Sequence, residues 1–361
     1  MSTGSAPARS RLVENREKPR FLVVDDSAVA RAVLSRAIEL SGRFAVAGAV
    51  PQVRAALAFL RENRVDGILL DIQMPGIDGL TALPELIAAG AGAKVVIVSS
   101  SCGEGAAATI EALALGAADT LEKPEIGDFA GRFATVLDEK LTRLFETMPP
   151  AATGTTPVVP LPPIASRSTA GFDIVAIGAS TGGLHALSQL LAEVPASFRL
   201  PILVTQHLPD SFMPYFAAQV AVLARRPCDV ATDYMRICPG RVIVAPGTAH
   251  LRIVDLGNGA AIRLSADPAK SGCMPSVDPM FDSIAQVFGN RALAVVLSGM
   301  GRDGSEGARR IVELGGSVVV QDQSSSVVWG MPGSIATGGT PCTILSPTEI
   351  GRMIASRRRP A

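Results

Sequence analysis

The chain has 361 residues, 48% of them hydrophobic, and 33 Lys and Arg residues balance 33 Asp and Glu residues. That length exceeds the usual size of one core, so we expect two globular domains, and the balanced charge gives no indication of a nucleic-acid partner. Five cysteines without a CxxC pair argue against a disulfide framework and favour a reducing, cytoplasmic location. The sequence shows neither a signal peptide nor an apolar stretch long enough to cross a bilayer, so we expect no membrane insertion.

The first half of the chain has the pattern of an α/β domain. Residues 1–19 mix serine, proline and charge without a hydrophobic period, which predicts a disordered arm. In residues 20–147, apolar β-branched runs alternate with helical patterns, which predicts a five-stranded, doubly wound parallel sheet. The predicted strands are residues 21–24, 44–50, 67–70, 94–99 and 120–121. The last helix of this domain is predicted from residue 129 to about 148.

A linker and a second α/β domain are predicted to follow. Residues 148–171 are rich in proline, threonine and serine, a composition that is typical of an interdomain linker. The alternation of strands and helices then resumes, so we expect a second doubly wound domain over residues 172–361. Its predicted strands are residues 173–177, 201–205, 293–297 and 317–320. Residues 227–264 contain short strands and little helical period, and we predict an antiparallel excursion there.

Polar side chains stand at successive strand ends of the first domain. Asp25 and Asp26 follow the first strand, Asp71 follows the third, and Ser99 and Lys123 end the fourth and fifth. Three carboxylates at one sheet edge need a cation, and oxygen ligands suit Mg²⁺. Such residues also cap helices, but five residues of these kinds at four strand ends favour a site that accepts a phosphoryl group.

These residues, with the segment from Asp71 to Gly79 and the pair Lys123-Pro124, resemble the receiver domain of two-component response regulators, which has a flavodoxin-like fold. The resemblance implies that Asp71 accepts phosphate from a histidine kinase. It also implies that Asp26, Asp71 and the backbone carbonyl of Gln73 hold Mg²⁺, that Asp25 assists through water, and that Ser99 and Lys123 contact the phosphoryl oxygens. An acidic cation site without phosphorylation is the alternative.

The second domain begins with a glycine-rich turn that carries one serine. The apolar run of residues 174–177 breaks into Gly178-Ala179-Ser180-Thr181-Gly182-Gly183, which fits the GxSxG spacing of a nucleophile elbow. A glycine-rich turn after a strand also cradles phosphate in many folds. The turn therefore predicts either a nucleophile or an anion site.

A serine nucleophile needs a base, and the chain has three histidines. His207 follows the next strand, which places it at the same sheet edge as the serine. His185 lies five residues beyond Ser180 and is interpreted as a half-exposed helix residue, and His250 as a satisfied histidine on a strand or turn. Asp303 and Asp322 both follow strands and are candidates to orient His207. Spacing does not decide between them, although the glycine-rich loop around Asp303 favours Asp303 over Asp322.

Six segments together resemble the bacterial chemotaxis protein-glutamate methylesterases, in which a receiver precedes the catalytic domain. They are residues 178–183, 205–209, 246–247, 275–278, 298–304, and 321–322 with 330–332. The resemblance implies a catalytic triad of Ser180, His207 and Asp303, with the backbone amides of Thr181 and Met300 holding the oxyanion and no cofactor for hydrolysis. One position departs from the family pattern. Two residues before the Pro-Ser-Val-Asp motif, where family members typically have histidine, this chain has Cys273.

The implied function is phosphorylation-regulated removal of methyl groups from glutamate γ-methyl esters of chemoreceptor cytoplasmic domains, with deamidation of receptor glutamines by the same route. The unphosphorylated receiver is expected to cover the substrate cleft. The alternative is a phosphorylation-controlled adaptor that binds receptors and has a weakly active or inactive hydrolase domain. Dinucleotide binding is disfavoured because the turn lacks a GxGxxG series, and a DNA-reading output because no helix-turn-helix pattern is present.

Overall fold

The computed structural model describes residues 18–99, 104–123, 132–145 and 171–357. The predicted arm lies outside the described residues up to residue 17, as does the predicted linker up to residue 170. We call residues 18–145 the N-terminal half and residues 171–357 the C-terminal half. None of the helices in these ranges combines the length and the apolar character that crossing a bilayer requires.

The N-terminal half is built on a parallel sheet in the order β2-β1-β3-β4-β5, which confirms the predicted five-stranded, doubly wound arrangement. Its strands are β1 (Arg20–Val24), β2 (Ala45–Val50), β3 (Gly67–Asp71), β4 (Lys94–Ser99) and β5 (Asp119–Glu122). Its helices are α1 (Ala28–Leu40), α2 (Val53–Glu62), α3 (Gly79–Gly90), α4 (Glu104–Leu115) and α5 (Arg132–Phe145). Every residue of the central strand β3 is buried, as expected where helices cover both faces of a sheet.

The C-terminal half contains a second, seven-stranded sheet in the order β14-β13-β12-β6-β7-β9-β8 and a separate antiparallel pair, β10-β11. Its strands are β6 (Ile174–Ala179), β7 (Ile202–Gln206), β8 (Cys228–Val230), β9 (Val242–Val244), β10 (His250–Asp255), β11 (Ala260–Ser265), β12 (Ala292–Val296), β13 (Ser317–Gln321) and β14 (Thr343–Leu345). Its helices are α6 (Gly183–Ala192), α7 (Met213–Ala224), α8 (Val277–Phe288), α9 (Ser305–Glu313), α10 (Gly330–Thr337) and α11 (Pro347–Ser356).

The antiparallel excursion is smaller than the sequence predicts. Within residues 227–264, β10 and β11 are the only strands that pair antiparallel, with one isolated antiparallel bridge from Arg236 to Ala261, whereas β8 and β9 extend the parallel sheet beyond β7. The prediction also lacks β14. Because β8, β9 and β14 have three residues each, they are too short to show a period, and their pairing with neighbouring strands fixes their place.

The strand order places the glycine-rich turn at the centre of the second sheet. Strand β6 pairs with β7 on one side and with β12 on the other, so the chain leaves β6 where the strand order reverses. Open α/β sheets bind their ligands in the crevice at such a point, beyond the carboxyl ends of the strands. The two halves meet near this crevice, because α4 of the N-terminal half packs against α6 and α7.

Candidate functional sites

An acidic pocket lies at the carboxyl edge of the first sheet. The Nζ atom of Lys123 lies 2.7 Å from Oδ2 of Asp71 and 3.2 Å from Oδ2 of Asp25. Asp25 and Asp71 are buried and Asp26 is exposed, and one carboxylate oxygen of each lies within 4.8 Å of those of the other two. The structure therefore brings together the carboxylates and the lysine that the sequence assigns to this edge.

The electrostatics of this pocket favour a divalent cation. Burial raises the pKa of Asp71, and the hydrogen bond and charge of Lys123 lower it less. For Lys123, burial opposes the charged form, but Asp71 and Asp25 outweigh it and raise its pKa. Oδ2 of Asp25 is buried without a hydrogen-bond partner of good geometry, although Lys123 is near it. An all-oxygen donor set that includes two buried carboxylates fits Mg²⁺.

Gln73 and Ser99 flank this pocket. The backbone N–H of Gln73 donates to Oδ1 of Asp71 at 3.2 Å. Ser99 is buried, and its hydroxyl lies 2.6 Å from the hydroxyl of Thr109 on α4. Its backbone carbonyl accepts the N–H of Lys123 at 3.0 Å. Ser99 thus connects the edge of the pocket to α4.

Packing against neighbouring loops fixes the turn that carries Ser180. The Ser180 N–H donates to the Ser298 carbonyl at 3.0 Å, and the Ser180 carbonyl accepts the amide of Gln206 at 2.9 Å. Gly182 has a φ of +73°, and a Cβ there would lie 2.5 Å from Cβ of Val327, so both the backbone and the space require glycine. A Cβ on Gly299 would lie 2.9 Å from Cβ of Ser180, which shows how closely the loop after β12 approaches the serine.

The backbone groups assigned to the oxyanion lie on these two segments. Thr181 directly follows Ser180, and its carbonyl accepts the hydroxyl of Ser298 at 2.8 Å. Met300 directly follows Gly299, which packs against Ser180. The same two loops therefore bring the Thr181 and Met300 peptides next to the serine.

Asp303 is the carboxylate beside His207. Its Oδ2 lies 2.7 Å from Nε2 of His207, and its side chain is 1% exposed. It also accepts the hydroxyl of Ser276 at 2.6 Å and the N–H of Val277, in the first turn of α8, at 2.8 Å. Burial alone would raise the pKa of Asp303, but the hydrogen bonds from His207, Ser276 and Val277 outweigh it and lower the pKa to about 2. Asp303 is therefore a fixed anion at physiological pH.

His207 is oriented by this anion. Burial would lower the pKa of His207, but hydrogen bonds with Asp303 and with the thiol of Cys273 outweigh it and raise the pKa to about 9. Because an ionised carboxylate only accepts, Nε2 of His207 carries the proton, which leaves Nδ1 as the basic nitrogen of the neutral ring. In the part of the chain that the structure describes, no hydrogen bond joins the Ser180 hydroxyl to His207, although both residues line one cavity.

The other candidates have structural roles. The carboxylate of Asp322 is bonded to Ser324 and Ser325 in its own turn, not to His207. His250 is buried, and its ring nitrogens bond the N–H of Ser276 and the carbonyl of Asp267, as predicted for a satisfied histidine. The half-buried His185, on α6, contacts the N-terminal half, because its Nδ1 lies 3.0 Å from the Ala114 carbonyl oxygen.

Sequence reasoning missed the residues that support the site. Ser276 bonds Asp303, and Gln206 bonds the backbone of Ser180. Both stand inside segments that the resemblance singles out, so their position was visible but their partners were not. The sequence marked Cys273 only as a departure from the family pattern, and the structure places its thiol against His207.

The N-terminal half packs against the turn that carries Ser180. The Thr181 hydroxyl donates to Oδ2 of Asp119 at 3.2 Å, and the Gly182 N–H donates to the Ala118 carbonyl at 3.0 Å. The cavity that remains is about 30 Å³, room for water but not for a protein side chain. Its lining comes from both halves: Leu113, Ala117, Ala118, Asp119, Ser180, Thr181, Gly182, Leu184, Gln206, His207 and Leu208.

The acidic pocket at the edge of the first sheet is typical of a receiver domain. The Ser, His and Asp residues at the edge of the second sheet are typical of a hydrolase domain. Residues 21–129 match the family model described as response regulator receiver domain, and residues 175–354 match the one described as CheB methylesterase. The chain is 37% identical to the protein-glutamate methylesterase/protein-glutamine glutaminase of Maricaulis maris, over 94% of this chain and 96% of that protein. It belongs to the protein-glutamate methylesterase family.

Two further similarities agree with this membership. A protein-glutamate methylesterase/protein-glutamine glutaminase of Paramagnetospirillum magneticum is 39% identical, over 94% of this chain and 97% of that protein. The crystal structure of the catalytic domain of Thermotoga maritima CheB methylesterase is 31% identical, with a TM-score of 0.50, and covers 51% of this chain and 98% of that domain.

Proposed function

We propose that this chain hydrolyses γ-glutamyl methyl esters on the cytoplasmic domains of chemoreceptors, using Ser180 as nucleophile, His207 as base and Asp303 as orienting anion. The observation that carries the proposal is the 2.7 Å bond between His207 and a fully buried Asp303, at the sheet edge where the glycine-rich turn presents Ser180. The names of the related proteins indicate the substrate class, since they are methylesterases that act on protein glutamate.

Acylation begins when Nδ1 of His207 takes the Ser180 proton as Oγ attacks the ester carbonyl. The N–H groups of Thr181 and Met300 hold the oxyanion, and Asp303 stabilises the imidazolium through Nε2–H. The tetrahedral intermediate then collapses, the bond to the methoxy oxygen breaks, and His207 returns its proton so that methanol leaves. The product is an ester between Ser180 and the receptor γ-carboxyl.

Deacylation repeats the sequence with water. His207 takes a proton from water as it attacks the acyl group, and then returns the proton to Oγ of Ser180. This releases the receptor glutamate and restores the serine. A receptor glutamine enters the same cycle when ammonia rather than methanol leaves in the first step, so one site supports both activities in the names of the related proteins.

Regulation follows from the elements that join the two sites. Lys123 directly follows β5, and the residue that begins this strand, Asp119, bonds Thr181 beside the nucleophile. Ser99 bonds Thr109 on α4, the helix whose Leu113 lines the closed cavity. A phosphoryl group on Asp71 draws both Lys123 and Ser99, so it favours a different placement of α4 and β5. Phosphorylation by a histidine kinase therefore shifts the receiver away from Ser180.

Mg²⁺ fits the acidic pocket and, when bound, neutralises charge between the carboxylates and an incoming phosphoryl group. Asp25, Asp26 and Asp71, with the Gln73 carbonyl, are the groups that would hold it. Asp71 offers the nucleophilic oxygen. Lys123 already contacts Asp71 and balances the negative charge that phosphorylation adds.

The test is methanol release from a methylated receptor fragment by the full chain, with acetyl phosphate as phosphodonor. We expect release by the parent protein and a loss of several orders of magnitude in Ser180→Ala. Equal release by Ser180→Ala would refute the nucleophile. Receptor binding without release by the parent protein would show the adaptor function instead.

A further inference from the structure

The catalytic pair His207 and Asp303 forms a cluster with Cys273, a residue that the proposed ester hydrolysis does not use. A ring nitrogen of His207, Sγ of Cys273 and a carboxylate oxygen of Asp303 all lie within 4.8 Å of one another. The three residues come from separate segments, at the ends of β7 and β12 and in the loop before α8. Three different metal-ligating groups from three segments thus converge on one point.

The chemistry of this cluster differs from that of the acidic pocket. The receiver pocket offers only carboxylate oxygens, which suit a hard cation such as Mg²⁺. The second cluster offers nitrogen, sulfur and oxygen, the donor set that zinc takes in proteins. The described residues therefore contain two candidate metal sites that prefer different ions.

The one ligand distance that is fixed, between His207 and Asp303, can be compared with a tetrahedral zinc site, and the other two lie within 4.8 Å. Bonds of about 2.0–2.3 Å place the ligand atoms about 3.3–3.7 Å apart. The pair of His207 Nε2 and Asp303 Oδ2, now 2.7 Å apart, must open by about 0.6 Å. A change of this size is within the range of side-chain torsions and is small beside the movement of an element of the fold.

Outer hydrogen bonds hold two of the ligands in place. The other carboxylate oxygen of Asp303, Oδ1, accepts the hydroxyl of Ser276 at 2.6 Å and the N–H of Gly304 at 3.1 Å. Ser276 in turn accepts the hydroxyl of Ser271, which also bonds the N–H of Cys273. The same chain of bonds therefore positions Asp303 and the loop of Cys273, as is usual for supported metal ligands.

The cluster is also open to solvent on one side. The side chain of His207 is 16% exposed, and Cys273 is half-buried. A metal ion can reach the ligands, and a fourth position towards the cleft remains for water. Structural zinc sites are closed by four protein ligands, so this arrangement points to reversible binding.

We propose that His207, Cys273 and Asp303 form a zinc site in which the ion replaces the proton between His207 and Asp303 and thereby blocks ester hydrolysis. The block rests on the proposed function: with zinc on Nε2, the neutral imidazole carries its one proton on Nδ1, so Nδ1 no longer accepts the proton of Ser180, and Cys273 releases its thiol proton to solvent on binding. The binding itself does not depend on that function. Zinc would then regulate this enzyme independently of phosphorylation.

Binding is tested on the full-length Ser180→Ala protein, which keeps all three ligands. With the acidic pocket saturated by excess Mg²⁺, Zn²⁺ is titrated calorimetrically, and Co²⁺ is used as a spectroscopic probe of thiolate ligation. We expect one Zn²⁺ per chain and a cobalt–thiolate charge-transfer band. Adding Cys273→Ser to this protein should lower its affinity for zinc at least about tenfold and remove the band. Cys273→His should still bind zinc but should not show the band.

The matched control is Cys238→Ser, which removes an exposed thiol outside the cluster. It should change neither zinc affinity nor the cobalt band. Thermal unfolding without metal checks that each variant is folded. Zinc affinity equal in the Cys273→Ser and parent proteins, or a cobalt band that disappears in Cys238→Ser, would overturn the site.

Inhibition is tested on proteins with Ser180 intact, each compared with its own rate without zinc. Methanol release by the parent should fall on adding Zn²⁺ and recover with EDTA, and Cys273→Ser should need at least about tenfold more zinc for the same loss. If zinc binds but does not lower methanol release, the proposed inhibition is refuted and the proposed zinc site is not. A parent protein that binds zinc but releases no methanol at any zinc concentration would refute the proposed function and leave the site standing.

Discussion

The contact between α6 and the end of α4 offers a quantitative test of how the receiver covers Ser180. The carbonyl of Ala114 lies in the last turn of α4, where carbonyls lack a partner within the helix. His185 and Ser188 of the methylesterase domain lie 3.0 and 3.3 Å from this carbonyl oxygen. When the receiver is closed, the Ala114 carbonyl at the end of α4 therefore has hydrogen-bond partners on the other side of the interface.

The double variant His185→Ala/Ser188→Ala leaves this carbonyl unpartnered in the closed form, whereas water satisfies it in the open form. A buried acceptor without a partner costs about 1–3 kcal/mol, so a central value of about 2 kcal/mol shifts the ratio of open to closed protein about thirtyfold. Each single variant should have a smaller effect, and Ser188→Ala the smaller of the two, because the one hydroxyl proton of Ser188 is shared with the His185 carbonyl at 2.8 Å. Neither residue touches the proposed triad.

The assay is methanol release with and without acetyl phosphate. We expect the rate of the unphosphorylated double variant to rise by up to about thirtyfold and the phosphorylated rate to stay near that of the parent. Gln286→Ala is the control, because it removes an exposed helical amide that bonds Asp282 one turn away in the same helix. An unphosphorylated rate that does not rise in the double variant would refute inhibition through this interface.

Three further predictions concern the triad and the receiver. Asp303→Asn should lower kcat about 10³–10⁴-fold, measured by methanol release, because an amide favours the wrong tautomer of His207; a loss below tenfold would contradict its orienting role. With EDTA present, kcat/KM of the unphosphorylated protein should rise about tenfold per pH unit until it levels off near pH 9, because only the neutral ring of His207 accepts the proton of Ser180. A profile that levels off by pH 7 would show that the pKa is not raised in the free enzyme. Removal of Mg²⁺ should abolish stimulation by acetyl phosphate and leave the unphosphorylated rate unchanged, which the same assay measures; stimulation that persists without divalent cations would exclude Asp25 and Asp26 as ligands needed for phosphorylation.

The receiver sheet was predictable because its strands are long enough to show a pattern. Strand β3, for example, is an unbroken buried run that ends in Asp71, and polar residues at such ends must meet at one edge. The same argument placed His207 near Ser180. It failed for β8, β9 and β14, which have three residues each and whose position depends on pairing across the sheet.

The partners of the site residues could not be predicted in the same way. Spacing left Asp303 and Asp322 as alternatives, and the choice depends on α8, whose first turn supplies the N–H of Val277 to Asp303. The contact of Cys273 with His207 arises from a loop whose path no periodic pattern specifies. Contacts made by loops across long sequence separations are set by tertiary packing, which local patterns do not encode.

The central claim is that Ser180 hydrolyses receptor methyl esters when Asp71 is phosphorylated. Its most direct test measures methanol release by three full-length proteins, the parent, Asp71→Asn and Ser180→Ala, each with and without acetyl phosphate. We predict strong stimulation of the parent, a low and unstimulated rate for Asp71→Asn, and no enzymatic release by Ser180→Ala. Stimulated release by either variant would contradict the account.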